Sequence, residues 1–295
     1  MRRLLITGGS GYLGTWVALL ARDGWDVTAT YFSHPTDISG VAWRRLDVRD
    51  AGAVAALVEE LRPAVIVHTA AVNPGHSADD HDFMAVNRDG SGHVARAAAA
   101  VAARLIHIST DVVFDGRKGN YNEDDPPSPL TPYGRSKAQA EEEVRKAGAE
   151  AVIVRTSLIY GWRPRLARQV RWIVEAAQAG ERLRLFSDEL RCPIWVRSLA
   201  AAVVELATLD YTGVLHVAGA QTLSRYEFGL RLLRHHGLPP TAAVPVSVRD
   251  SGLVRPPDCT LDCRRARSLL RTRLPGVDEV LRSLGDGRPG RPPYA

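Results

Sequence analysis

Leu4-Leu5-Ile6-Thr7-Gly8-Gly9-Ser10-Gly11-Tyr12-Leu13-Gly14 runs from a short apolar strand through a glycine-rich turn into an apolar helix. Glycines let a backbone turn tightly and approach a pyrophosphate. The helix that follows presents unpaired N–H groups and a positive dipole end to the same anion. Gly8, Ser10, Gly11, Tyr12, Leu13 and Gly14 are therefore candidates for holding a dinucleotide. A glycine-rich loop alone is weak evidence, and the strand before it and the helix after it are what strengthen it.

Working outward from this turn, strand-like runs alternate with helical patterns. Residues 3–7 precede a helix from 12; 26–31 and 42–46 precede a helix over 51–61; 64–68 precede a helix over 80–103; and 104–109 and 151–155 flank a helix over 132–147. Such alternation predicts an α/β fold, a Rossmann-type doubly wound parallel sheet with helices on both faces. Asp50 is placed to cap one helix, which Pro63 stops. In these sheets ligands sit beyond the carboxyl ends of the strands, where residues 8–14, Ala70, Ala71, Ser109, Thr110 and Asp111 fall. After residue 156 the pattern loosens, with helices near 165–179, 196–208 and 225–236 and short strands near 183–186, 213–217 and 243–247. We read residues 1–156, with later segments returning, as the nucleotide-binding domain, and 157–284 mainly as a smaller C-terminal substrate-binding lobe. Ser224-x-x-Glu227 is a capping box for one of its helices. The tail from Gly285, rich in glycine, proline and arginine, reads as disordered.

Composition narrows the function class. The net charge is +5, but 35 of the 38 basic residues are arginines scattered among Ala, Asp and Glu, so no basic block points to nucleic acid. No run of about 18 apolar residues predicts a membrane span, and Met1-Arg2-Arg3 leads into a strand rather than a signal peptide's apolar stretch, so a cytoplasmic protein is expected. Cys192, Cys259 and Cys263 are odd in number and lack metal-ligand spacing, which argues against a disulfide scaffold and against a metal site.

Chemistry enters with Pro132-Tyr133-Gly134-Arg135-Ser136-Lys137, which contains one of only three lysines in the chain. A spacing of four places Tyr133 and Lys137 on one helix face. A phenol of ordinary pKa near 10 is a poor acid at neutral pH, and a fixed ammonium beside it favours the phenolate. Tyr133 can then protonate a carbonyl oxygen as hydride reaches its carbon, while Lys137 also holds a nicotinamide ribose. Thr110, at a strand end, can donate a hydrogen bond to the same oxygen. The structural alternatives are a helix-start aromatic packed on the sheet for Tyr133 and a strand-end turn residue for Thr110.

With these residues in place the chain resembles an extended short-chain dehydrogenase/reductase, most of all the dTDP-4-dehydrorhamnose reductase family. The resemblance is carried by residues 7–14, Leu46-Asp47-Val48, His68-Thr69-Ala70-Ala71, Ser109-Thr110-Asp111-Val112-Val113-Phe114-Asp115-Gly116, Tyr133 to Lys137, Arg155-Thr156-Ser157, Cys192-Pro193-Ile194 and Arg255-Pro256. It implies Thr110, Tyr133 and Lys137 as the catalytic set, Asp111 near the sugar, Asp47 and Val48 at the adenine, and Ala70, Ala71, Val72 and Ser109 along the cofactor. Asn87 matches a family asparagine associated with a helix kink and proton relay, against a surface helix residue as the alternative. Glu123 and Asp124 read as solvated loop carboxylates, although the family has an acidic, proline-rich approach to its tyrosine there.

Two departures shape what the resemblance implies. The second strand ends Ala29-Thr30-Tyr31-Phe32-Ser33-His34, with no carboxylate to engage a ribose 2′-hydroxyl. A 2′-phosphate is then tolerated, with Ser33, His34 and Arg44 as candidate partners. NADPH is the expected cofactor, with NADH also admitted, and His34 reads equally as a plain surface histidine. The family's Arg-Thr-Ser-Trp run is Arg155-Thr156-Ser157-Leu158 here, and Trp162-Arg163-Pro164-Arg165 replaces its Gly-Asn-Asn-Phe stretch. Leu158 and Arg163, with Trp162 and Arg165, are substrate-side candidates, or an arginine-rich helix start on the surface. The expected function is an NADPH-dependent reductase of a keto group on a nucleotide-linked deoxysugar, with a homodimer admitted. One alternative is a non-catalytic NADP-binding regulatory subunit resembling the beta subunit of methionine adenosyltransferase, which shares the leucine near 158. Another is an NAD-dependent sugar-nucleotide epimerase using the same Tyr133 and Lys137.

Overall fold

A computed structural model describes residues 1–74 and 80–284, so the predicted disorder from Gly285 lies outside the described residues. Strand β1 (Arg3–Thr7) leads through the glycine turn into α1 (Tyr12–Ala21), followed by β2 (Asp26–Tyr31), β3 (Val41–Arg45), α2 (Ala51–Leu61) and β4 (Val65–His68). One short turn, α3 (Asp80–Asp82), passes into a π-helical segment, Phe83–Asp89, and then α4 (Gly90–Ala100). The helix predicted over 80–103 is therefore not uniform. Strand β5 (Arg104–Thr110), a 3₁₀ turn at Asp111–Val113, α5 (Pro132–Lys146) and β6 (Ala151–Thr156) complete the first half.

All pairs in the seven-stranded sheet are parallel. Its order is β3-β2-β1-β4-β5-β6 plus a seventh strand, with the switch in direction between β1 and β4. Successive strand side chains point to opposite faces, which sorts β1 cleanly: Leu4 and Ile6 pack with Val17 and Ala18 of α1, and Leu5 packs with Val54 and Val58 of α2. Asp50 caps α2 by accepting from the Ala53 N–H at 2.9 Å.

The second half begins with β7 (Ile159–Tyr160), α6 (Arg168–Gln178), β8 (Leu183–Phe186), β9 (Leu190–Arg191), β10 (Ile194–Trp195) and α7 (Val196–Leu206), then β11 (Gly213–His216), β12 (Leu223–Ser224), α8 (Arg225–His235) and β13 (Ala243–Val246). Strand β11, grouped on sequence with the short strands of the lobe, is instead the seventh strand of the main sheet, paired with β6 from Gly213 opposite Val152 to His216 opposite Arg155. Helix α7 likewise shares the core of α1, through Leu199, Val203 and Leu206. A second core gathers Ile173, Leu185, Phe228 and Leu232 from α6, β8 and α8. Ser224 and Glu227 form the expected capping box, with both bonds present at 3.1 and 2.8 Å. The three cysteines are buried free thiols in a small core with Phe114 and Tyr121.

Candidate active site

The glycine turn is shaped by close approaches. Gly8 has φ +70°, and a β-carbon there would sit 2.5 Å from the Ala70 nitrogen, so the turn lies directly on the end of β4. A β-carbon at Gly14 would fall 2.7 Å from the Gly9 Cα and 2.9 Å from the Thr69 hydroxyl, which is what lets α1 start close behind the turn. The Gly11 N–H donates to the Gly8 carbonyl at 2.9 Å. Helix α1 has no side chain capping its first N–H groups, which leaves them to an anion.

Beside this turn lies a cavity of about 450 Å³ lined by Gly8, Ser10 and Gly11, by Ala70, Ala71 and Val72 after β4, and by Asp47 and Val48 after β3. Donor groups of the turn and small residues along the wall, with Phe32 and Val48 also among the lining residues, suit a dinucleotide. Ser33 and His34 are exposed and do not line the cavity, and Arg44 is ion-paired with Glu60 at 2.8 Å. Arg49, which the sequence reading passed over, does line it. Tyr12 packs between the two cores rather than in the cavity wall. Its hydroxyl is buried without a partner among the described residues, and burial raises its pKa.

Val72 connects this cavity to Tyr133. Buried Asn87, within the π-helical segment, accepts from the Val72 N–H at 2.9 Å and donates to the Val72 carbonyl and to the Ser136 hydroxyl, both at 3.0 Å. The Ser136 hydroxyl donates to the Tyr133 carbonyl at 2.8 Å. Asn87 is thus a kink-stabilising bridge, and the surface-residue alternative is excluded by its complete burial. Below it, Ser91 donates to the Asn87 carbonyl at 2.5 Å, so the His68 Nε2 must donate to Ser91 and its Nδ1 accept from Thr7. Burial holds this neutral imidazole down to a pKa of about 3.

Thr131 caps α5 by accepting from the Gly134 N–H at 3.1 Å, with Pro132 at the first helical position. Gly134 packs so tightly on the 3₁₀ turn that a β-carbon there would fall on the Val112 carbonyl oxygen. That approach sets Tyr133 beside Thr110 and Asp111. The half-buried Tyr133 hydroxyl donates to the Asn73 Oδ1 at 3.2 Å and its ring meets Phe83 edge-on. Burial first, then the Asp111 charge, push its pKa above the ordinary phenol value, with the Thr110 hydroxyl pulling the other way. Lys137, 2% exposed, donates to the Ile108 carbonyl at 2.7 Å, and burial lowers its pKa to about 8. The expected lowering of the phenol by Lys137 is not seen in this structure, because the ammonium is turned to the β5 backbone, and burial, then Asp111, set the direction of the shift.

On the same face, one turn further, Glu141 is fully buried. It accepts from the Ser109 hydroxyl at 2.6 Å and from Arg155 at 3.0 and 2.7 Å. The Ser109 hydroxyl is thereby committed to α5 rather than to a cofactor. Thr110 donates to Asp111 Oδ1 at 3.2 Å, and Ser157 donates to its Oδ2 at 2.6 Å. Arg191 lies 3.6 Å from Asp111 and 3.4 Å from Glu189, whose other partner is Arg255 at 2.5 Å. Burial raises the Asp111 pKa against the pull of Arg191. Arg191 and Glu189 were missed because nothing distinguishes them on sequence from the other scattered charges.

The substrate-side candidates do not converge. Leu158 packs on the second core, while Arg163 is exposed and its carbonyl accepts from the Trp16 indole at 2.6 Å. Arg165 donates to the Ser10 carbonyl at 3.2 Å, and Trp162 donates to the His236 Nε2 at 3.0 Å. This segment ties the second core to the glycine turn. Glu123 is not a solvated loop carboxylate: its side chain is 5% exposed and accepts from the His216 N–H at the end of β11, whereas Asp124 is solvated as expected.

The family model described as the RmlD substrate binding domain matches residues 1–285. Among curated proteins, methionine adenosyltransferase 2 subunit beta of Bos taurus is 31% identical over 281 residues, covering 91% of this chain and 82% of its own length. The spore coat polysaccharide biosynthesis protein SpsK of Bacillus subtilis (strain 168) is 29% identical over 257 residues, covering 85% of each chain. Among solved structures, the dTDP-4-dehydrorhamnose reductase of Bacillus anthracis in complex with NADP superposes with a TM-score of 0.83 at 27% identity, covering 96% of this chain and 98% of that one. A hypothetical dTDP-4-dehydrorhamnose reductase from Sulfolobus tokodaii gives 0.82 at 33% identity, covering 95% and 99%. With a parallel sheet of this order, a glycine turn at its switch point and a match across nearly its whole length, the chain belongs to the RmlD substrate-binding-domain family.

Proposed function

We propose that this protein is an NADPH-dependent reductase of a keto group on a nucleotide-linked deoxysugar. The observation that carries the reading is the packing of Gly134 on the Val112 carbonyl, which brings the Tyr133 hydroxyl to Thr110 and Asp111 at the carboxyl end of β5. The turn at residues 8–14, Asp47, Val48 and Ala70 to Val72 hold the dinucleotide in this reading, and its nicotinamide supplies the hydride. Tyr133, kept as the neutral phenol by burial and by Asp111, gives its proton to the carbonyl oxygen of the substrate. The Thr110 hydroxyl, which donates to Asp111 in this structure, turns its single proton to that oxygen when substrate is bound. Lys137, whose ammonium donates to the Ile108 carbonyl, ties α5 to β5 and so positions Tyr133 at the strand end. No helix among the described residues is long and apolar enough to cross a membrane; we assign the enzyme to the cytoplasm on the ground that its three cysteines are free thiols, as in a reducing compartment.

The test is NADPH oxidation with a panel of 4-keto sugar nucleotides. Substrate-dependent oxidation by the wild type supports the proposal; none with any member of the panel opposes it. A second reading is a non-catalytic NADP-binding regulatory subunit, favoured by the 31% identity to the Bos taurus subunit beta and by Leu158 in place of the family's tryptophan. Isolation in a stoichiometric complex with another chain, together with no turnover, would favour it.

A further inference from the structure

The adenosine end of the cavity contains a cation that the β2 strand does not supply. After β2 the chain reads Phe32-Ser33-His34, and neither Ser33 nor His34 lines the cavity. Arg49, two residues beyond Asp47, does line it, with its side chain 44% exposed and its guanidinium 5.5 Å from the centre of the Phe32 ring. Asp47 fixes that guanidinium: its Oδ1 accepts from the Arg49 Nε at 3.0 Å and its Oδ2 from the Nη2 at 2.6 Å. The Arg49 backbone N–H donates to the same carboxylate at 3.0 Å.

This arrangement has two chemical consequences. The end of β2 supplies no carboxylate for a ribose 2′-hydroxyl, and Asp47, after β3, has both its oxygens engaged by Arg49. An arginine carries five N–H donors in a planar fork, and Asp47 takes those of the Nε edge, leaving the Nη1 pair directed away from the carboxylate. A guanidinium fixed by Asp47, with donors that this carboxylate does not take and with Asp82 also lining the cavity within reach of its charge, suits a phosphate monoester better than a hydroxyl. We propose that Arg49, oriented by Asp47 and stacked on Phe32, recognises the 2′-phosphate of the cofactor and sets the preference for NADPH over NADH. The proposal rests on the dinucleotide reading of this cavity and adds the residue that discriminates between the two cofactors.

The experiment is a fluorescence titration of NADPH and of NADH, without sugar substrate, into the wild type, Arg49→Gln and Arg49→Lys. NADH is the control for folding, since its site is otherwise identical. Loss of one charge-assisted phosphate contact predicts NADPH binding weakened by roughly 10- to 100-fold in Arg49→Gln, with NADH changed less than about threefold and Arg49→Lys in between. Wild-type NADPH affinity should also fall more steeply with added salt than NADH affinity. Equal weakening of both cofactors assigns Arg49 to adenine stacking or to local structure and overturns the proposal, as does no change in either. Failure of the wild type to bind either cofactor would refute the dinucleotide reading itself, whereas binding of NADPH and NADH by the wild type with equal affinity would overturn only the proposal about Arg49.

Discussion

Removing the carboxylate of Glu141 should be among the most damaging single changes in this protein. Glu141 is fully buried and Arg155 only 1% exposed, and their two-armed bond joins α5 to β6 while Ser109 joins the same carboxylate to β5. Tyr133, Lys137 and Glu141 recur at intervals of four, so this bond anchors the sheet-facing stripe that carries the proton donor. Glu141→Ala would leave Arg155 charged and unpaired in the interior, with the Phe114 ring 5.0 Å away as its remaining favourable neighbour. Breaking a buried pair from one side costs about 3–5 kcal/mol, a large part of a total stability of about 5–15 kcal/mol. Urea denaturation should show the midpoint falling with an unchanged slope. The double variant Glu141→Leu with Arg155→Met, which removes both charges at similar volume, should recover most of that loss. The interaction with Arg155 holds the Glu141 carboxyl below the usual range against the effect of burial. Its stabilisation is thus present above the unfolded pKa of about 4.3 and is lost as pH falls through the lower folded value. A single-variant loss below about 1 kcal/mol, or a double variant as damaged as the sum of the singles, would refute this reasoning.

Gly134→Ala is a signed test of the α5 docking. On an exposed helix it would stabilise by about 1 kcal/mol, whereas a methyl against the Val112 carbonyl should destabilise by about 1–3 kcal/mol and lower turnover; stabilisation in urea melts would contradict the packing. Lys137→Met should stabilise the protein at pH 7, because burying the ammonium costs about 3 kcal/mol for its lowered pKa, offset by about 1 kcal/mol for the lost bond to Ile108. The unfolded chain holds this proton up to about pH 10.4, so wild-type stability from this group rises between pH 8 and that value, and the advantage of the variant should shrink between melts at pH 7 and pH 9.5. A constant difference would show that Lys137 does not titrate in that window.

Local patterns in the sequence carried much of the architecture. β1 and β2 fall at the predicted residues, because each is a short apolar run bounded by a turn, and α2 starts and stops at Asp50 and before Pro63. Features that depend on distant partners were not legible. The π-helical segment reads as ordinary helix until Asn87 is seen to hold the Val72 backbone. β11 looks like any short strand until its register with β6 is seen. The same holds for charge: Arg49 and Arg191 have acidic partners two residues away, as many charges in this chain do, but the cavity wall, Asp111 and Arg255 that give Arg49, Arg191 and Glu189 their places come from distant segments. Glycine was more informative, because Gly8 and Gly134 record where another backbone passes.

The central claim is that Tyr133 donates the proton in a net reduction of a sugar-nucleotide ketone. Its most direct test is single-turnover reaction with NADPH deuterated at the transferable position, run with the wild type and with Tyr133→Phe. One deuterium is expected at the former carbonyl carbon of the wild-type product, with a rate lower by about 10²–10⁴-fold in Tyr133→Phe and NADPH affinity retained. An undiminished rate in the variant, or a wild-type product free of deuterium, would contradict it.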